Sequence, residues 1–175
     1  MAKASFVRCT SVGSSARAQA WEDLIAAHCS FKARIVAGDE REAIGRSDRK
    51  SRRILNFGHT IGHALEALTS YRRFRHGEAV GYGMLVAGEI SKLLGLLEPS
   101  ELESLRRAVN WCGPLPRVHD LNERAIISAM EQDKKKVGGR IQWVLLERIG
   151  AARIIDGSKI PSGLLRDALK LVLKN

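Results

Sequence analysis

The apolar residues of this 175-residue chain recur with the spacing of α-helices over most of its length. After Pro161, for example, they stand three or four residues apart and would form one face of a helix. A charged stretch, Glu40–Arg53, separates the first helical pattern from the second and reads as a loop. The patterns predict helices over residues 15–38, 54–68, 77–94, 100–111 and 122–133, and from residue 161 onward.

Two short segments near the C-terminus have the pattern of β-strands instead. Ile141–Leu146 and Ala152–Ile155 are rich in β-branched and apolar residues, and the residues between them suit a turn, so they predict a hairpin. Ser100 and Glu103 have the spacing of a capping box, which places a helix start at Ser100. The predicted fold class is therefore mainly α, a multi-helix domain with one C-terminal β-hairpin.

Glycines interrupt the third predicted helix, where Gly81, Gly83 and Gly88 stand among apolar residues. Each glycine costs a helix about 1 kcal/mol relative to alanine. Their presence predicts that this helix packs closely against another backbone, and the preceding helix is the natural neighbour.

The chain is strongly basic, with a formal net charge of +10 and a pI of about 10. This charge suits a basic surface or a site for anionic, phosphorylated substrates. Nucleic acid is the least favoured partner, because no recognised nucleic-acid motif accompanies the basic clusters. Those clusters lie at 46–53, 72–75 and 134–136.

Cysteine content and hydropathy limit the cellular setting. The three cysteines are odd in number and widely spaced, which suggests no disulfide framework and fits the reducing cytoplasm. No run of 18 apolar residues occurs, so no membrane partner is expected.

Three of the five histidines fall within eighteen residues, at positions 59, 63 and 76. His59 and His63 are four residues apart, so a helix would place both imidazoles on one face. Such a pair can hold a divalent metal, or one ring can bind metal while its neighbour contacts substrate.

The segments around these histidines, LNFGHTIGHALE and HGEAVGYGM, resemble the helical C-terminal domain of 3-dehydroquinate synthase. The resemblance implies that His59 and His76 are two of three ligands to Zn²⁺ or Co²⁺. In that family the third ligand is a glutamate further upstream, and no carboxylate of this chain matches its position. His63 is implied as an acid/base residue beside the substrate phosphate. Asn56 stands three residues before His59 and would share its helical face, where its amide could donate to an anionic oxygen; the alternative is that Asn56 is the N-terminal cap of the helix.

The resemblance extends to the charged residues on either side of the histidine segments. The stretch from Lys32 to Glu42 is similar to a family segment in which the lysine binds the substrate carboxylate and Glu42 takes part in proton transfer. Arg52 would also hold the carboxylate, although an apparent insertion of about six residues leaves Arg46 and Arg53 as alternatives. The string DKK followed by a glycine implies a phosphate contact from Lys134 or Lys135.

The family reaction closes a carbocycle in the shikimate pathway, converting a phosphorylated keto-sugar acid into 3-dehydroquinate with loss of phosphate. It is a cyclising carbon–oxygen lyase reaction that uses NAD transiently. The sequence has no GxGxxG or Walker-type loop. The dinucleotide-binding domain of the family is therefore expected to be absent, and the chain to be inactive alone. Residues 1–14, which are small and polar, are expected to form a disordered tail, and residues 15–175 the helical domain. Its missing N-terminal half, or a second copy in a homodimer, would be the protein partner.

Two other functions remain open from the sequence. The first is a stand-alone metal-dependent hydrolase that uses the three histidines and Glu66. The second is a basic module that binds nucleic acid through residues 46–53.

Overall fold

The computed structural model describes residues 14–43, 46, 48–137 and 141–174, apart from the side chains of residues 14 and 133–137. The predicted tail, residues 1–14, lies outside these residues except for Ser14, where the first helix begins. The described residues form α1 (Ser14–Gly38), α2 (His59–Leu68), α3 (His76–Leu93), α4 (Pro99–Trp111), α5 (Glu123–Val137), β1 (Gln142–Arg148), β2 (Ala151–Asp156) and α6 (Ser162–Leu173). Short 3-10 turns occupy Arg52–Asn56 and Gly157–Lys159. The mainly α fold class with one hairpin is confirmed.

Two helix starts differ from the sequence prediction. The helix expected over residues 54–68 begins only at His59, because Gly58 has a left-handed backbone with φ of 85° that separates it from the preceding 3-10 turn. The capping box at Ser100 is wrong: α4 begins at Pro99 after Glu98, since proline suits the first turn, where its missing N–H is not needed.

The chain divides into two compact units. Of the described residues, the first unit holds 14–43, 46 and 50–52, and it contains α1. After α1, the buried carboxylate of Asp39 accepts hydrogen bonds from the backbone N–H groups of Ala43 (3.0 Å) and Arg52 (2.8 Å). These bonds and the nearby Ser51 lower the pKa of Asp39, so its charged form holds the turn after α1 to the segment at residue 52.

Of the described residues, the second unit holds 48–49, 53–137 and 141–174, and its centre is the packing of α2 against α3. The backbones of the two helices touch: a Cβ at Gly62 of α2 would lie 3.2 Å from Cα of Val80. A Cβ at Gly83 of α3 would overlap the carbonyl oxygen of Gly58. The predicted close packing of the glycine-containing helix is therefore confirmed.

The hairpin and the last helix complete the core around α3. β1 and β2 pair antiparallel, with Val144 opposite Ile154. Ser91 of α3 joins the hairpin to the helix, because its Oγ accepts a hydrogen bond from the N–H of Leu146 (3.0 Å). Leu169 of α6 is fully buried in the same core as Ile90. No helix among the described residues is both long and apolar enough to cross a membrane.

Candidate metal and substrate site

One face of α2 carries three side chains able to bind a metal. His59 is the first residue of the helix, His63 lies one turn later and Glu66 two turns later, so the three share a face. Glu66 is buried, while His63 is exposed and His59 half-buried. The helix can begin at His59 because Gly58 adopts the left-handed conformation that favours glycine.

The chain reversal after α2 brings His76 to the same place. Phe74 is buried and packs edge-to-face on Tyr82, with ring centroids 6.1 Å apart, which anchors the loop to α3. The side chain of Glu78 accepts a hydrogen bond from the N–H of Arg75 (2.8 Å), so α3 starts with His76 as its first residue.

The three imidazole rings form a cluster. The ring centroid of His59 lies 5.5 Å from that of His63 and 5.2 Å from that of His76, and the rings of His63 and His76 are 6.0 Å apart. His63, Glu66 and His76 also offer ligand atoms that all lie within 4.8 Å of one another. The geometry therefore suits a divalent cation, with either His59 or His63 able to join His76.

Two of the rings have an oxygen beside Nδ1. Nδ1 of His76 is 3.1 Å from Oε1 of Glu66, and Nδ1 of His59 is 3.4 Å from the carbonyl oxygen of Phe57. When Nδ1–H donates to such an acceptor, Nε2 keeps its lone pair and can bind a metal. The pairing of these two rings with backbone or carboxylate oxygen is the arrangement expected of His59 and His76 as metal ligands.

Four of the predicted residues belong to the first unit: Lys32, Glu42, Arg46 and Arg52. Lys32 is exposed on α1, and Glu42 follows the helix with a positive φ of 47°. Arg52 donates from Nη1 to the carbonyl oxygen of Glu40 (3.3 Å), and Arg46 donates from Nη1 to that of Gly38. Their predicted contacts with a substrate carboxylate or proton remain predictions.

The remaining predicted residues belong to the second unit. Asn56 is exposed in the 3-10 turn before Gly58, so the expectation that it shares a helical face with His59 is wrong. Arg53, the other alternative to Arg52, donates from its guanidinium to the side chain of Gln142. Lys134 and Lys135 lie in the last turns of α5, and their side chains are outside the described residues. Their predicted phosphate contact stays a prediction.

The sequence from residue 4 to residue 136 matches the family described as "3-dehydroquinate synthase C-terminal". The chain belongs to this family. Curated relatives named 3-dehydroquinate synthase are 36% identical over 143 residues in Solibacter usitatus and 40% identical over 153 residues in Gloeobacter violaceus. These alignments cover 82% and 83% of this chain. The chain spans only about 38% of the length of each relative.

Solved structures with the same fold include two synthases that hold NAD⁺ and a divalent metal ion. The 2-epi-5-epi-valiolone synthase of Streptomyces hygroscopicus, with NAD⁺ and Zn²⁺ bound, superposes on 92% of this chain with a TM-score of 0.65 and 18% identity. A 2-deoxy-scyllo-inosose synthase complexed with carbaglucose-6-phosphate, NAD⁺ and Co²⁺ superposes on 69% with a TM-score of 0.57 and 21% identity. The chain covers 41% and 34% of these two proteins. At these low identities the structural likeness shows only that this chain has the same fold.

Glu66 is the residue of the cluster to which the family resemblance assigned no role. The sequence contained a signal for it, because Glu66 stands three residues after His63 and seven after His59, on the same helical face. Its contact with His76 depends on the loop after α2, which no helical spacing specifies. Glu66, which the sequence suggested only for a stand-alone hydrolase, therefore belongs to the candidate site.

We expect the stability of the metal-free protein to fall in acid partly because of His59. Burial lowers the pKa of His59 below its ordinary value of 6.5, and the neighbouring His63 and His76 lower it further, against the opposing effect of the Phe57 carbonyl. As the pH falls through 6.5, the unfolded chain gains a proton that the folded chain resists, so the free energy of unfolding decreases. Urea unfolding at pH about 7.5 and about 5.5 should show a smaller decrease for His59→Gln than for the wild type. Equal decreases in the two proteins would contradict the lowered pKa.

Proposed function

We propose that this chain supplies the metal- and substrate-binding part of a 3-dehydroquinate synthase reaction. The observation that carries the proposal is the convergence of His59, His63 and His76, with ring centroids 5.2 to 6.0 Å apart, in a member of this family. The substrate class is a phosphorylated keto-sugar acid, and the basic net charge of +10 favours binding of such an anion. We place the protein in the cytoplasm, because its three widely spaced cysteines suggest no disulfide framework.

His59 and His76 would hold Zn²⁺ or Co²⁺ through Nε2. Support comes from the acceptors beside Nδ1 of both rings, Phe57 and Glu66. A divalent cation bound there supplies Lewis-acid polarisation of a substrate oxygen. Both histidines must be neutral to bind it, and the lowered pKa of His59 favours its neutral form.

His63 would move a proton at one of its ring nitrogens. The ring is exposed and lies 5.5 Å from that of His59, so a substrate held at the metal ligands would be in reach of His63. Asn56 would donate its amide to an anionic oxygen, and Lys134 or Lys135 would contact the phosphate. Lys32 and Arg52 would bind the carboxylate, and Glu42 would assist proton transfer. These roles rest on the family resemblance.

NAD would bind to a part of the family's length that these 175 residues do not cover. The sequence has no GxGxxG, the loop with which a strand and a helix hold a dinucleotide pyrophosphate. The histidine cluster offers imidazoles and a carboxylate, which suit a cation and not a pyrophosphate. The protein partner would be the region that carries this loop, in the same chain, in a second chain or in a homodimer.

The test is turnover by a fusion protein. We expect the 175 residues alone to form no 3-dehydroquinate in a coupled assay with saturating NAD and zinc. Fused behind the N-terminal part of the Gloeobacter violaceus relative, which this chain does not cover, they should restore turnover. His59→Ala in the fusion should reduce kcat more than about 100-fold, since a Lewis acid contributes several kcal/mol.

His119→Ala is the matched control for the fusion, because His119 is an exposed histidine outside the cluster. It should leave kcat unchanged. A folded fusion that binds NAD but shows no turnover dependent on His59 would contradict the proposed function. Turnover by the isolated 175 residues would contradict the placement of the NAD site.

A further inference from the structure

The contact between Glu66 and His76 links the end of α2 to the start of α3. Nδ1 of His76 and Oε1 of Glu66 are 3.1 Å apart. The Glu66 side chain is only 10% exposed, whereas that of His76 is 57% exposed. A buried carboxylate needs hydrogen-bond donors, and the His76 ring supplies one. The carboxylate is thus the fixed partner, and the exposed ring is the one that gains a defined position.

We propose that Glu66 is a positioning residue that holds Nδ1–H of His76 and so leaves Nε2 available to a metal ion. Carboxylate–histidine–metal arrangements of this kind fix both the tautomer and the ring orientation of the ligand. Free imidazole otherwise exchanges its proton between the two nitrogens. This inference rests on the proposed function, since it takes His76 to be a metal ligand.

The position of Glu66 suits this role better than direct metal binding. Oε1 is already engaged with His76, and Glu66 is a buried residue of α2. His59 has its own oxygen at Nδ1, from the Phe57 carbonyl. Both rings therefore have an acceptor at Nδ1 and a free Nε2, as expected of two ligands to one metal ion. Glu66 provides that acceptor for His76.

The first readout needs no metal. Nitrogen-15 NMR of histidine-labelled protein, recorded about two pH units above the ordinary histidine pKa of about 6.5, reports which ring nitrogen of His76 carries the proton. We expect the Nδ1–H tautomer in the wild type and in Glu66→Gln, whose Oε1 can still accept the bond. In Glu66→Ala we expect a mixture of both tautomers. An unchanged tautomer in Glu66→Ala would overturn the proposal.

The second readout is the affinity for Co²⁺ and the visible absorption of the cobalt-loaded protein. Loss of an outer-shell partner costs about 10- to 100-fold in metal affinity, so Glu66→Ala should bind Co²⁺ that much more weakly, with an unchanged band shape. A changed band shape would show that Glu66 is itself a ligand and would overturn the positioning role. If the wild type binds no Co²⁺, the proposed function fails, while the metal-free tautomer still decides the Glu66–His76 bond.

Glu89→Gln is the matched control. Glu89 is likewise a buried carboxylate, but it pairs with Arg106 between α3 and α4 and does not contact the histidines. This substitution should lower the melting temperature and leave the His76 tautomer and the cobalt affinity unchanged. An effect of Glu89→Gln on the tautomer as large as that of Glu66→Ala would overturn the proposal, because general loosening would then explain both.

Discussion

Replacing Gly83 by alanine is expected to destabilise the protein severely. The new Cβ would overlap the carbonyl oxygen of Gly58, and backbone cannot move aside as a flexible side chain can. Overpacking of a core typically costs 1–3 kcal/mol and occasionally more, and we expect about 3 kcal/mol or more here. Such a loss is a large part of the roughly 5–15 kcal/mol that stabilises a domain. Urea unfolding measures it.

Gly77→Ala is the control for this change, since it lies in the same helix and a Cβ there meets nothing within 4 Å. It should be neutral or stabilising by up to about 1 kcal/mol, the difference in helix propensity. Any Gly83→Ala protein that remains folded should also bind zinc more weakly, because Gly58 precedes His59. Equal stability of the two variants would contradict the backbone contact between α2 and α3.

Zinc binding by this chain is expected to be weak, because only two histidines are assigned as ligands, and loss of His76 or His59 is expected to abolish it. Removal of a direct ligand should cost more than the roughly 10- to 100-fold attributed to outer-shell partners, so we expect a loss above about 100-fold for His59→Ala and for His76→Ala. His63→Ala should bind within about 10-fold of the wild type, because we assign that ring to proton transfer. Isothermal titration calorimetry with ZnCl₂ gives the affinities.

His119→Ala again serves as the control and should bind zinc like the wild type. A loss of affinity with His63→Ala as large as with His76→Ala, together with wild-type affinity in His59→Ala, would show that His63 and His76 form the ligand pair. The geometry allows that outcome, because the ligand atoms of His63, Glu66 and His76 lie within 4.8 Å of one another. The three variants therefore separate the two assignments.

Local pattern was sufficient to predict the helices and the hairpin. The apolar spacing after Pro161 corresponds to α6, whose buried residues Leu165, Leu169 and Val172 form one face. The spacing of His59 and His63 placed both rings on one face, and their centroids are 5.5 Å apart. These features depend on neighbours within one turn or one hairpin, which a single sequence displays directly.

Features that depend on backbone conformation at a single residue were not predicted. The start of α2 at His59 follows from the left-handed conformation of Gly58, and the close approach of Val80 and Met84 of α3 leaves no room for a Cβ at that position. A sequence pattern does not display that tertiary contact, so Asn56 was placed in the helix. At α4, Pro99 competes with Ser100 for the helix start, and its fixed φ prevails.

The role of Glu66 also required the structure. Its spacing from the two histidines of α2 is visible in the sequence, but its partner His76 lies beyond a loop in which Ser70 and Tyr71 have positive φ. Such conformations are uncommon outside glycine, and the apolar pattern carries no information about them. The direction in which the chain returns after α2 therefore had to be observed.

The most direct test of the metal site is anomalous diffraction at the zinc edge from crystals of the zinc-loaded protein. We expect one peak at about 2.0–2.1 Å from Nε2 of both His59 and His76, with Glu66 still bonded to Nδ1 of His76. A peak coordinated by other residues, with His59 and His76 both uninvolved, would contradict the assignment of this cluster as the metal site.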